Sequence, residues 1–179
     1  SMTATARRRR PRRRERERET DDDDAYLVAF TPRVAELSRN PIEGFSAGLV
    51  DDCNVFEWQV TVMGPPETLY EGGFFTCNMS FPKDYPNKPP NVRFISEMWH
   101  PNVYADGRVC ISILHNPGED PHGYEDAGER WSPVQTVETI MLSIISMLSD
   151  PNDQSPANID AAKEWREDDL SDLVGWNED

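Results

Sequence analysis

Phe56-Glu57-Trp58-Gln59-Val60-Thr61-Val62 and, beyond Gly64-Pro65-Pro66 and Gly72-Gly73, Phe75-Thr76-Cys77-Asn78-Met79-Ser80-Phe81 decide the fold. In both runs a large apolar side chain falls on every second residue, the period of a strand with one buried and one open face. The glycines and prolines between them turn the chain. After the stiff loop Asp84-Tyr85-Pro86-Asn87-Lys88-Pro89-Pro90, Val92-Arg93-Phe94-Ile95 reads as a further strand. Short strands joined by turns make an antiparallel meander. Cys77 falls on the apolar side of its run, which gives it a structural role.

Helical signals flank the meander. Thr31-Pro32 has the form of an N-cap followed by an N1 proline, opening a helix through Arg33 to Leu37 that Asn40-Pro41 ends. Downstream, Val137, Ile140, Met141, Ile144, Ile145 and Leu148 recur at helical spacing and predict a helix from about Val134 to Ser149. Leu142 lies well off that stripe; isolated surface leucines are common, and one on an otherwise polar face is also a place where a partner can dock. Asp150-Pro151-Asn152 stops the helix, and a last helical stretch covers about Asn158 to Leu173. The fold class is α+β.

The chain of 179 residues has the length of one domain with a real core. Its net charge of −15 divides into +7 for residues 1–18, with nine arginines and two glutamates, and −22 for the remainder. Residues 1–24 bury too little apolar surface to offset ordering and are read as a disordered tail; the domain occupies 25–179. The Arg7–Arg14 run has the composition of a nuclear-import or RNA-contacting arm, and equally of a solvated tail. The acidic body argues against unaided nucleic-acid binding and favours basic partners or lysine side chains. Cys53, Cys77 and Cys110 cannot all pair, and no apolar run approaches the ~20 residues needed to cross a bilayer. The expectation is a reducing compartment, cytoplasm or nucleus, with no membrane association. No Cys or His spacing fits a metal, and no cofactor is expected.

His100-Pro101-Asn102 followed by Asp106-Gly107-Arg108-Val109-Cys110-Ile111 sets a thiol eight residues after an asparagine, with a tight turn between them. Such a turn places Asn102 beside the Cys110 sulfur, and acyl transfer needs that pair: a soft nucleophile and an amide donor for an oxyanion. The apolar run Val109-Cys110-Ile111 equally fits a buried, inert cysteine. A Cys–His hydrolase using His100, His115 or His122 is a further reading, though no orienting third residue is evident. A nucleic-acid binder acting through residues 7–18 is another, and would show steep salt dependence. Between Cys110 and Trp131 runs a long polar segment rich in Gly, Pro, Asp and Glu, of the kind that is functional or disordered.

Taken together, Tyr85-Pro86 with Pro89-Pro90, His100-Pro101-Asn102, Gly107-x-x-Cys110-Ile111-x-Ile113-Leu114, Trp131-Ser132-Pro133 and Asp150-Pro151-Asn152 resemble the ubiquitin-conjugating enzymes over roughly residues 25–169. The segment Asn40–Leu49 and the acidic insertion resemble the G subgroup, close to its first member. The resemblance implies the ubiquitin-conjugating fold, with an N-terminal helix, a four-stranded antiparallel meander, a central helix and a C-terminal helical segment. It also implies that Cys110 accepts ubiquitin from the activating enzyme as a thioester and passes it to a lysine. No histidine base is needed beside the sulfur for near-thermoneutral exchange between thioesters. The alternative is a catalytically impaired ubiquitin-binding scaffold; such variants lack the cysteine.

By the same resemblance, Asn102 supports the loop and the oxyanion, His100 fixes the turn, and Ser155 flanks the incoming lysine. Leu142 and Ser146 contact donor ubiquitin. Asn87, Pro133 and Val134 meet a ring-type ligase, although Asn87 stands where the family often has an apolar side chain. Arg33 and Arg39 contact the activating enzyme, with Pro32 departing from the family's longer first helix. Apart from the resemblance, the carboxylates Glu119, Asp120, Glu125, Asp126 and Glu129 are candidates to supply negative field near the lysine, and read equally as a solvated loop. Beyond Asp169 the family continues through a longer basic helix, whereas this chain carries Leu170 to Asp179. Its partners would be ubiquitin, the activating enzyme, a ligase and substrate proteins, and its products chains that mark proteins for degradation.

Overall fold

A computed structural model describes Leu37, residues 42–118 and residues 128–174, with side chains through Glu167. The tail, Arg33, Arg39, Glu119, Asp120, His122, Glu125 and Asp126 lie outside the described residues. Four strands form one antiparallel sheet in chain order: β1 (Phe45–Asp51), β2 (Asn54–Met63), β3 (Phe74–Ser80) and β4 (Asn91–Phe94). Two α-helices follow, α1 (Val137–Ser149) and α2 (Ile159–Val174), after a short 3-10 turn at Ser112–Leu114.

The alternating runs pair as their period requires, with Trp58 opposite Met79, Val60 opposite Cys77 and Val62 opposite Phe75. Trp58, Val60, Val62, Cys77 and Met79 are fully buried, and the Trp58 indole N–H donates to the Val55 carbonyl at 2.8 Å. Each such apolar side chain withdrawn from water contributes about 1.5–3 kcal/mol. The first strand was implied only by the resemblance. Its small residues Ser46, Ala47 and Gly48 blunt the alternation, yet Phe45 and Ala47 are buried. The fourth strand ends at Phe94, one residue earlier than the apolar run indicates, and Ile95 is exposed.

The central helix starts at Val137 rather than near Val134. Thr136 is its N-cap, and Thr136 and Thr139 exchange side-chain and backbone hydrogen bonds in a capping box. Ser132 to Gln135 forms a separate turn, leaving Val134 81 % exposed. Ile140, Met141, Ile144 and Leu148 face the core as their spacing predicts. Met147 joins them, whereas Ile145 packs only at the edge. Leu37 is helical and buried in the same core.

The far edge of β4 positions the thiol. Phe94 N–H donates to Gly107 O (2.8 Å) and Val109 N–H to Val92 O (3.0 Å), so the segment leading into Cys110 hangs on the open edge of the sheet. Gly107 has φ +88°, and a Cβ there would lie 2.3 Å from the Phe94 carbonyl oxygen. Only glycine fits this approach.

Candidate active site around Cys110

The turn that the sequence places before the thiol is built around a buried imidazole. His100 is fully buried; its Nδ1 accepts from the Asn102 amide (2.9 Å) and its Nε2 lies 2.9 Å from the Met147 carbonyl. A ring accepting at Nδ1 and donating at Nε2 is neutral. Burial pushes its pKa down to about 4, although the Met147 hydrogen bond pulls the other way. Both nitrogens are thus used in fixing the turn. The Pro101 carbonyl accepts from Ala157 and Asn158 at 2.8 and 2.9 Å, tying the start of α2 to the same turn.

Asn102 is buried beneath the thiol segment. Its carbonyl accepts from the Cys110 amide at 2.9 Å. Its side chain turns to the loop after α1: Nδ2 donates to the Asn152 carbonyl and Oδ1 accepts from the Asn152 amide, each at 2.8 Å. Asn152 Oδ1 in turn accepts from Gln154 N and Ser155 N, at 3.1 and 3.2 Å. Ser155, Asn152, Asn102 and Cys110 line one cleft.

Two side chains flank the sulfur. The Tyr104 hydroxyl donates to Cys110 Sγ at 3.7 Å, and His115 Nε2 lies 3.6 Å from it. Sequence reasoning did not single out Tyr104; its place two residues after Asn102, inside the turn that carries the thiol, was the available signal. The hydrogen bond to Cys110 leads the causes that raise the Tyr104 pKa, so the phenol stays protonated and able to donate. The sequence offers His115 only as a hydrolase residue; in the structure it stands beside the sulfur, although exchange between thioesters does not require a histidine. The His115 carbonyl accepts the Trp131 amide at 3.1 Å, joining the two flanks of the acidic insertion.

The three cysteines are separated by environment. Cys110 is half-buried and opens onto a cleft; Cys53 is exposed on the β1–β2 turn. Cys77 is buried, and desolvation pushes its thiol up to about 12. A thiol so placed carries almost no thiolate at neutral pH. Among the described residues no group of three or more His, Cys, Asp and Glu side chains is arranged to hold a metal ion. None of the described helices is long and apolar enough to cross a membrane.

The remaining candidates fall on two surfaces. Leu142 is 53 % exposed, with Ser146 one turn along on the open side of α1. Asn87, Pro133 and Val134 are exposed on two loops that the Trp131 indole joins by donating to the Pro86 carbonyl at 2.7 Å. Glu129 is exposed and lines the cleft beside Cys110.

The family model of the ubiquitin-conjugating enzyme matches residues 30–172. The chain belongs to the ubiquitin-conjugating enzymes. It is 70 % identical over 135 residues to ubiquitin-conjugating enzyme E2 7 of Arabidopsis thaliana, covering 75 % of this chain and 81 % of that one. To human ubiquitin-conjugating enzyme E2 G2 it is 59 % identical over 133 residues, 74 % of this chain and 81 % of the relative. The solved structure of human ubiquitin-conjugating enzyme E2 G1 superposes with a TM-score of 0.61 at 55 % identity, covering 69 % of this chain and 94 % of that chain. These relatives place it in the G-type branch, and the four-stranded sheet with its helices is the ubiquitin-conjugating fold. Transfer of ubiquitin through a cysteine thioester is the family activity. Ubiquitin, an activating enzyme and ligases are its partners.

Proposed function

We propose that Cys110 is the cysteine that carries ubiquitin, and that a ring-type ligase promotes its discharge onto lysine. The Cys110 thiolate attacks the thioester carbonyl of ubiquitin on the activating enzyme; one C–S bond forms, the other breaks, and the activating enzyme's thiolate leaves. In the second step a lysine amine attacks the Cys110 thioester. A C–N bond forms, the nitrogen gives up a proton, and Cys110 departs as thiolate. The observation carrying this assignment is the half-open sulfur between Tyr104 and His115 at the mouth of a cleft, set against the sealed Cys77.

Around this reaction the other residues take consistent parts. Asn102 holds the Asn152 loop against the thiol segment, and its second Nδ2 hydrogen supports the developing oxyanion. His100, neutral and fully used, keeps the turn rather than moving protons. Ser155 hydrogen-bonds or orients the incoming lysine. Glu129, with Glu119, Asp120, Glu125 and Asp126 of the insertion, supplies negative field that favours an ammonium nearby. Leu142 and Ser146 hold donor ubiquitin, Asn87, Pro133 and Val134 meet the ligase, and Arg33 and Arg39 meet the activating enzyme. Products are chains that mark proteins for degradation. The setting is a reducing one, cytoplasm or nucleus, consistent with three free thiols.

Charging with activating enzyme, ubiquitin and ATP, followed on a non-reducing gel, tests the assignment. A reducible conjugate should form with wild type, Cys53→Ser and Cys77→Ser and vanish with Cys110→Ser. Its persistence in Cys110→Ser would overturn the reading.

A further inference from the structure

Two clefts meet at the thiol, sharing Cys110 and His115, and they differ in charge. The one beneath α1 is lined by Glu129 and Asp150 with Asn102, Asn152 and Ser155. The one along the β4 edge is lined by Arg93 and Arg108 with Tyr104, Asn78 and Ser80, and among the described residues no carboxylate lines it. On a chain of net charge −15 this is a local reversal of sign beside the reacting atom.

The two guanidinium groups are set in place rather than loosely distributed. Arg93 and Arg108 face each other across an isolated antiparallel bridge. Both are held through Nε by one residue, Arg93 on the Asp106 carbonyl (2.6 Å) and Arg108 on the Asp106 carboxylate (2.8 Å). No hydrogen bond from their Nη atoms to the described residues is formed, so the forked ends remain for a ligand. Arg108 also stacks on Tyr104, its Cζ 4.8 Å from the ring centroid, and the hydroxyl of that ring reaches Cys110 Sγ. One aromatic side chain therefore separates Arg108 from the sulfur.

We propose that Arg93 and Arg108 form an acceptor-side specificity subsite that selects lysines with an Asp or Glu about two residues away. Planar guanidinium forks match carboxylates in pairs of hydrogen bonds. Extended peptide advances ~3.3 Å per residue, so a carboxylate two positions from the attacking lysine lies about one side chain away from the sulfur. The remaining negative charge of Asp106 is engaged by Arg108, so the net sign at the subsite is positive.

This inference rests on Cys110 as the ubiquitin carrier, and the test separates the two. Charged enzyme is isolated and discharged in single turnover onto short peptides with one lysine, flanked two residues away by Glu, Gln or Arg. Rates are read as ratios between peptides on the same preparation, so a loss of folded protein cancels. Wild type should prefer the Glu peptide over Gln by about threefold to tenfold, declining with added salt. Arg93→Gln with Arg108→Gln should level the series, and Arg93→Glu with Arg108→Glu should reverse it in favour of the Arg peptide. Equal rates in wild type, or a preference unchanged in the variants, would overturn the subsite while leaving the carrier intact. Absence of any thioester would overturn both.

Discussion

Asn102 and Asn152, fifty positions apart, exchange two hydrogen bonds of 2.8 Å, and Asn152 takes part with its main chain alone. The loop after α1 is thus fastened to the thiol segment by the amide of one side chain. Only that amide has the donor and acceptor needed to meet a backbone N–H and C=O together.

Asn102→Asp should therefore slow lysine discharge by roughly tenfold or more and lower stability by about 1–3 kcal/mol, the range for leaving a buried group unsatisfied. Asn152→Ala keeps both backbone groups and loses only the turn bonds to Gln154 and Ser155. Its discharge rate should fall far less. Single-turnover discharge and urea unfolding of the two variants check the contrast.

His100 makes stability depend on pH with a definite sign. Its pKa is about 4 folded against 6.5 in the unfolded chain, so the unfolded state binds the proton first. The stabilisation is whole above pH 6.5 and is lost as the pH falls from there toward 4. A shift of this size corresponds to a loss on the order of 3 kcal/mol. Urea melts between pH 7.5 and 4.5 should show the decline, and His100→Asn should flatten its imidazole component even from a lower starting stability.

Thiol reagents should divide the cysteines by environment. In native protein Cys53 and Cys110 should label readily, while Cys77, raised to about 12 and sealed between β-strands, should label only on unfolding. Mass spectrometry of peptides after brief alkylation gives the answer; early labelling of Cys77 would contradict the packing described.

Tyr104→Phe removes the hydroxyl donor from the Cys110 sulfur and leaves the ring under Arg108. A donor favours the charged form of sulfur, whether as attacking or leaving thiolate. Alkylation and charging of Cys110 should slow severalfold at neutral pH, with the gap narrowing in alkali. A uniform loss at every pH would point instead to a displaced loop.

The parts of this structure legible in the sequence are those fixed by period or by turn chemistry. Alternation in residues 56–62 and 75–81 marked β2 and β3, and the 3.6-residue stripe marked α1 with Leu142 outside it. β1 escaped because Ala47 and Gly48 offer little hydrophobic contrast. The apolar run puts the start of α1 three residues too early because Thr136, not that run, decides where the first unpaired N–H groups are met. At the site, Cys110, Asn102 and His100 announced themselves as a motif, but spacing could not show that Asn102 spends its side chain on Asn152. Nor could it show Arg93 and Arg108 as neighbours, since the pairing of β4 with the thiol segment is a tertiary fact.

The hydrogen bond from Trp131 N–H to His115 O has a consequence for how this enzyme can diverge. Closing the chain at that point fixes where the stretch between them leaves and rejoins the domain. Doubling the length of a closed loop costs only about 0.6 kcal/mol in entropy. Evolution can therefore lengthen or shorten that stretch at small cost, revising which lysines are met while the hydrogen bonds that hold the turn before the thiol are inherited unaltered.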